Sequence, residues 1–251
     1  MLAADEWVAA SAAAARAEVD GLLWRRDVRG AAAAVAASSS DRGARDSAAI
    51  DGADIVEADA SPMGRVLDAA QRLNADIPSQ LDAFERAPLQ VLARLHAVVA
   101  HGFVPEDELG RPRSADAVHV DDPLHLGSLP AASVAADRLA ALARVLTAPT
   151  AAPAVVVASI AHAEVAVLRP FGWGSGLLAR ALLRLVLASR GVDPSLFSIP
   201  EHGIWQQGRP AYVKALRAYA SGTPEGVRDF LVWNATAIGL GAAAVVVPAT
   251  D

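Results

Sequence analysis

The chain has 251 residues, a formal net charge of −6, 53% hydrophobic residues and no cysteine. That length suits one large domain or two small ones with a sizeable core, and the apolar content excludes disorder. The lack of cysteine excludes a disulfide framework, a thiol nucleophile and sulfur-bound zinc, while the acidity argues against a broad nucleic-acid-binding face.

Lys214 is the only lysine, so the positive charge is almost entirely arginine. Alanine runs fill most segments and aromatic residues make up 5%, which favours helix over sheet. The start, Met1-Leu2-Ala3-Ala4-Asp5-Glu6, carries acids where a secretory leader needs bases. The most apolar stretch, 151–168, is interrupted by His162 and Glu164, and the 235–247 run is shorter than the roughly 20 residues that span a bilayer. A cytoplasmic, membrane-free protein is expected.

In chain order, residues 4–38 read as helix, interrupted at Gly21 and at the Trp24-Arg25-Arg26-Asp27 corner. Ser38 to Gly43 reads as a break, and Asp46-Ser47 as the start of a short helix stopped by Gly52. Met63–Asn74 reads as helix ending before Pro78, and Leu89–Ala100 as helix stopped by Gly102. Residues 103–130, rich in proline and glycine, read as a loop carrying a short hairpin around Ala117-Val118-His119-Val120. Helical patterns return over 131–146, 153–168, 177–190 (with Gly191 as the stop), 211–220 and 225–239. The expected fold is all-α, eight to ten helices with a small β-hairpin.

The distinctive segment is Leu168-Arg169-Pro170-Phe171-Gly172-Trp173-Gly174-Ser175-Gly176-Leu177-Leu178-Ala179-Arg180, a glycine turn between two helices. Alternate glycines let backbone N–H groups point one way, and the following helix adds its positive end, which makes an anion cradle. Ser175 can cap that helix. The same pattern also serves as a plain helix connector.

The flanks of this turn give it a resemblance to the Fic (Fido) family, whose motif is His-Pro-Phe-x-(Asp/Glu)-Gly-Asn-Gly-(Arg/Lys)-x-x-Arg between two helices. Pro170, Phe171, Gly174, Gly176 and Arg180 fall on matching positions. Ala161-His162, seven residues before the motif, is similar to the family, as are Arg94-Leu95-His96 with Gly102, Gly110-x-x-Arg113, Tyr212-x-x-Ala215-Leu216 with Gly222, and Phe230-Leu231. The likeness covers about 89–239 and implies an N-terminal helical region, 1–88, followed by a Fic-like core, 89–251. Upstream, Ser47-Ala48-Ala49-Ile50-Asp51-Gly52 resembles the family's inhibitory motif, (Ser/Thr)-x-x-x-Glu-(Gly/Asn), with aspartate for glutamate. Positions four apart share a helix face, so Ser47 can brace the Asp51 carboxylate. The resemblance implies that Asp51 pairs with Arg180; an ordinary solvated acid beside a glycine cap is the alternative.

In the family, the motif histidine is the base for AMP transfer from ATP to a protein hydroxyl. The acid holds Mg²⁺, and the asparagine and basic side chains hold the phosphates. Here those positions are Arg169, Trp173, Ser175 and Leu177. A guanidinium accepts no proton, an indole offers a hard cation no oxygen, and leucine neutralises no charge. Losing the base alone commonly costs a factor of about 10² to 10⁴. His162 lies roughly 10 Å along the helix from Arg169 at 1.5 Å per residue, too far to replace it, and reads as a packed histidine.

The sequence therefore predicts a degenerate Fic-type protein whose Arg169, Gly174, Ser175, Gly176 and Arg180 form an anion pocket for phosphate, a metal-free nucleotide or a partner's acidic side chain. No catalytic residue, no metal ligand and no obligate cofactor are expected; ATP or another nucleotide is a candidate ligand. The other two readings are an interaction module, with Trp173 as exposed anchor or pocket plug, and a transferase of altered chemistry. An unidentified protein partner fits either of the first two. Oligomeric state is left open.

Overall fold

Leucine, valine and alanine recurring at three- and four-residue spacing wind this chain into helices around two central ones. The computed structural model describes residues 5–115 and 119–249. Among them are eleven α-helices: α1 (Glu6–Trp24), α2 (Arg26–Gly30), α3 (Ala32–Ile50), α4 (Pro62–Phe84), α5 (Pro88–Ala100), α6 (Ala132–Thr147), α7 (Ala154–Leu168), α8 (Ser175–Ser189), α9 (Pro200–Gln207), α10 (Arg209–Ala220) and α11 (Pro224–Ala243). Asp5, Ser61 and Thr223 accept hydrogen bonds from the first free N–H groups of α1, α4 and α11. Proline opens α4, α5, α9 and α11, where its missing N–H costs nothing.

Helices α7 and α8 are buried around almost their whole circumference and pack on each other, so the turn joining them sits at the centre of the molecule. Around them α6 covers α7, α4 links α3, α5 and α8, and α1 lies along α11. Helix α9 crosses α11 so closely that a Cβ on Gly203 would overlap the Ala237 carbonyl oxygen. No helix among the described residues is long and apolar enough to cross a membrane.

Several boundaries differ from the sequence expectation. The stretch 38–43 is no break but the middle of α3. Ser39 and Gly43 are small because α3 is pressed onto its neighbours there. Ser39 donates to the Phe197 carbonyl at 2.7 Å, and a Cβ on Gly43 would meet Arg184 at 2.9 Å. Asp46 and Ser47 continue this helix rather than opening another. Gly21 does not interrupt α1; the break expected at the Trp24–Asp27 corner falls at Arg25, and an unexpected one follows Gly30. Helix α4 runs through Pro78, whose ring lies on the exposed side. Helix α9 was not anticipated, although Pro200-Glu201 is a sound opening.

Part of the expected hairpin, Ala117 and Val118, lies outside the described residues; His119 and Val120 are not in a strand, and the one β-bridge among the described residues joins His101 and Val104.

Pro78 leaves α4 one hydrogen bond short, and proline costs about 3 kcal/mol against alanine in a helix interior. Proline's restriction of the unfolded chain returns at most about 1 kcal/mol. Pro78→Ala is expected to stabilise the protein by about 1–3 kcal/mol in urea unfolding. An unchanged or lower midpoint would count against a continuous α4.

Candidate functional site

The turn between α7 and α8 is shaped by two residues in left-handed conformation, Arg169 (φ 43°) and Gly174 (φ 74°). Gly174 is the residue that flanks α8, and Ser175 is already its first helical residue. The Ser175 hydroxyl donates to the Phe171 carbonyl at 3.5 Å, so it does not cap the helix as the sequence suggested. Phe171 is fully buried and stacks on His96 with ring centroids 4.0 Å apart. His96 accepts the Gly110 N–H on Nδ1 at 2.9 Å, and burial pushes its pKa down to about 4. Leu177 is core.

The segment after α5 is tied across this turn by backbone bonds. The Arg113 N–H reaches the Pro170 carbonyl and the Asp121 N–H the Gly172 carbonyl, each at 2.8 Å. The Arg113 guanidinium also donates to the carbonyls of Arg169 and Leu168, at 3.1 and 3.2 Å, closing the free C-terminal end of α7.

Arg169, which the resemblance aligns with the family's histidine, turns its buried guanidinium toward this covering loop. It pairs with Asp122 at 2.7 Å and donates to the carbonyls of Gly127 and Ser128 at 3.0 and 2.8 Å. The structure therefore does not bring Arg169 and Arg180 together on one anion. Trp173 is half-buried and stacks on Phe103, centroids 3.7 Å apart, so it is not a freestanding anchor.

Arg180 is the largest fully buried side chain. Its Nη2 lies 2.8 Å from Asp51 Oδ2, and that carboxylate is itself 7% exposed. Asp51 ends α3, and Gly52 (φ 99°) lets the chain turn away behind it. Ser47 does not brace the carboxylate: its hydroxyl accepts from Arg180 Nε at 2.7 Å, and its carbonyl from Nη2 at 3.0 Å. Asp51 lies against the first turn of α8, where a Cβ on Gly176 would stand 2.9 Å from Oδ2 and push the carboxylate away. A carboxylate at this helix end is favourably placed against the positive dipole. The cradle thus holds an anion supplied by the chain. The void left between Asp121, Asp122, Arg169, Ser175 and Gly176 is about 10 Å³, at the lower limit for one water.

The pair is made by one contact rather than a two-bonded fork. Asp51 Oδ1 and Arg180 Nη1 are buried without a hydrogen-bond partner among the described residues.

Behind Arg180 runs a buried polar chain. Tyr212 O–H donates to His162 Nε2 at 2.6 Å, the His162 Nδ1–H to Asn234 Oδ1 at 3.0 Å, and Asn234 Nδ2 to Ser159 at 2.8 Å. Complete burial, with the Arg180 charge nearby, pushes His162 down to about 3, so it stays neutral. Burial likewise pushes Tyr212 up to about 12. His162 is a packed, doubly bonded histidine. Glu164 takes Arg138 and Tyr219, and Arg184 takes Glu201; both join helices away from the cradle.

A divalent cation does not fit this donor set. Asp51 and Asp122 are each spent on a guanidinium, and Trp173 is an indole stacked on Phe103. Among the described residues no cluster of three potential metal ligands occurs. Asp121, pushed up first by burial and then by the Asp51 charge, completes an acidic edge that the sequence reasoning passed over; the adjacent Asp121-Asp122 before Pro123 was its signal.

Two solved structures that superpose on this chain are described as Fic proteins. A Fic family protein from Desulfovibrio desulfuricans G20 superposes with a TM-score of 0.74 at 18% identity, over 95% of this chain and 73% of that one. Fic-1 (residues 134–508) from C. elegans does so with a TM-score of 0.68 at 15% identity, over 94% and 71%. No protein-family model and no curated protein sequence matches. At these identities the likeness establishes architecture: the chain has the Fic (Fido) fold.

Two buried neutral histidines make stability depend on pH. Below about 6.5 the unfolded chain protonates both, while His162 and His96 stay neutral in the fold down to about 3 and 4. The unfolded state then binds more protons, so stability falls with falling pH, by up to about 1.4 kcal/mol per unit per histidine. Urea midpoints are expected to drop from pH 7.5 to pH 5, with a shallower slope in His162→Gln. A flat profile would contradict the neutral, buried state.

Proposed function

We propose that this protein is a degenerate Fic-fold pseudoenzyme: it keeps the anion cradle of an AMP-transferring scaffold but not the chemistry. The observation that carries the reading is Arg169. At the position where the resemblance requires a base, a buried guanidinium is bound to Asp122 and two carbonyl oxygens. It has no lone pair with which to take a hydroxyl proton. Trp173 and Leu177, which the resemblance aligns with the metal and charge-clamp positions, neutralise no charge on a transferring phosphoryl group.

Asp51 supports the binding half of the proposal. The cradle is built for negative charge, and its present occupant is a side chain from the end of α3 rather than a part of α8 itself. A phosphate group or a partner's carboxylate takes that place only when Asp51 withdraws. The protein is then a responder to an acidic ligand or partner, not a modifying enzyme. A transferase of altered chemistry gains no specific support, since Arg169 and Arg180 are both ion-paired within the fold.

Incubation with radiolabelled ATP, Mg²⁺ and cell lysate is expected to leave no label on the protein or its companions, for the natural sequence and for Arg169→His alike. Restoring the base leaves metal position, clamp and cradle unchanged. Metal-dependent label in the natural sequence would overturn the reading.

A further inference from the structure

Beside the cradle lies a second cavity of about 150 Å³, between the 126–130 loop, α6, the end of α7 and α10. Three arginines line it, Arg138, Arg169 and Arg217, together with Ser128. We propose that it is a binding site for a small tetrahedral oxyanion of the phosphate type, distinct from the cradle that Asp51 fills.

The charge count points that way. Arg169 is matched by Asp122 at 2.7 Å, and Arg138 by Glu164 through Nε and Nη2 at 2.9 and 2.6 Å. Arg217 has no carboxylate within ion-pair distance among the described residues and donates only to the His125 carbonyl. Three positive charges against two negative ones leave an excess of one in a chain whose net charge is −6.

Donors are also left over. Arg138 keeps Nη1 outside its fork to Glu164, and Arg217 keeps its remaining N–H groups. The Nε of Arg169 is buried without a partner. Apolar residues such as Val167 and Leu216 form the rest of the lining. Guanidiniums match the planar pairs of oxygens that a phosphate presents.

Size decides between ligands. Pockets for drug-sized organic molecules start at about 300 Å³. A cavity of half that volume takes a free oxyanion and leaves a nucleoside outside. Arg169 lines both this cavity and the small void at the cradle, so an oxyanion here sits one guanidinium away from the motif turn. The site does not depend on whether the protein transfers AMP or whether Asp51 withdraws.

The test is a titration of the full chain with sodium phosphate at fixed ionic strength, followed by ¹H–¹⁵N NMR, with acetate and glycerol 3-phosphate as parallel arms. Saturable shifts at Arg138, Arg217 and 126–130, weakened at least tenfold by Arg217→Met, are expected. Arg217 is exposed, so that variant keeps the fold. Acetate should bind more weakly than phosphate, and glycerol 3-phosphate more weakly still than the free ion. Absence of saturable binding, shifts confined to 174–180, equal affinity in Arg217→Met, or tighter binding of acetate or of the ester would each overturn the proposal.

Discussion

A guanidinium with no exposure to water must be matched inside the protein, and Arg180 is matched by Asp51. Removing either member of such a buried pair typically costs about 3–5 kcal/mol, because the survivor is left charged and desolvated. The two residues come from separate elements, one closing α3 and the other inside α8. Ser47 adds two further acceptors from α3, and the chain from Tyr212 through His162 and Asn234 to Ser159 carries the polar interior on into α10, α7 and α11. Five helices are thus held in register around one charge.

That arrangement decides what the site can do. The glycine turn, the positive end of α8 and Gly176 build a place for an anion, and Asp51 is the anion in it. Arg169 acts on the other side of the turn, where with Asp122 and two carbonyl oxygens it fastens the 122–128 loop in place. Arg169 therefore acts as a strap between the turn and the loop that covers it. The covering loop, the turn and the end of α3 form one closed unit rather than an open cleft.

Much of this was legible in the sequence, and the limits have physical causes. The helices flanking the turn could be read because apolar residues recur on their faces and glycine marks their ends. The pairing of Asp51 with Arg180 came from the family resemblance, since no local pattern links residues 129 positions apart. Ser38 to Gly43 misled because small polar residues signal a loop when exposed and close helix packing when buried. Pro78 misled because a proline ring facing solvent clashes with nothing outside its own helix. The bonds of Ser47 and Arg169 depended on partners in distant segments. Ser47 is one turn from Asp51, yet the stronger claim on its hydroxyl is the charged Nε of Arg180.

The most direct test of the Arg180–Asp51 pair is a double-mutant cycle in urea unfolding with Asp51→Ala, Arg180→Met and the combination. If the two charges neutralise each other in the interior, each single change is strongly destabilising. The double change then costs less than their sum, by about 2–3 kcal/mol. Additivity to within about 0.5 kcal/mol would mean that Arg180 is satisfied by other groups and that Asp51 is not the occupant of the cradle.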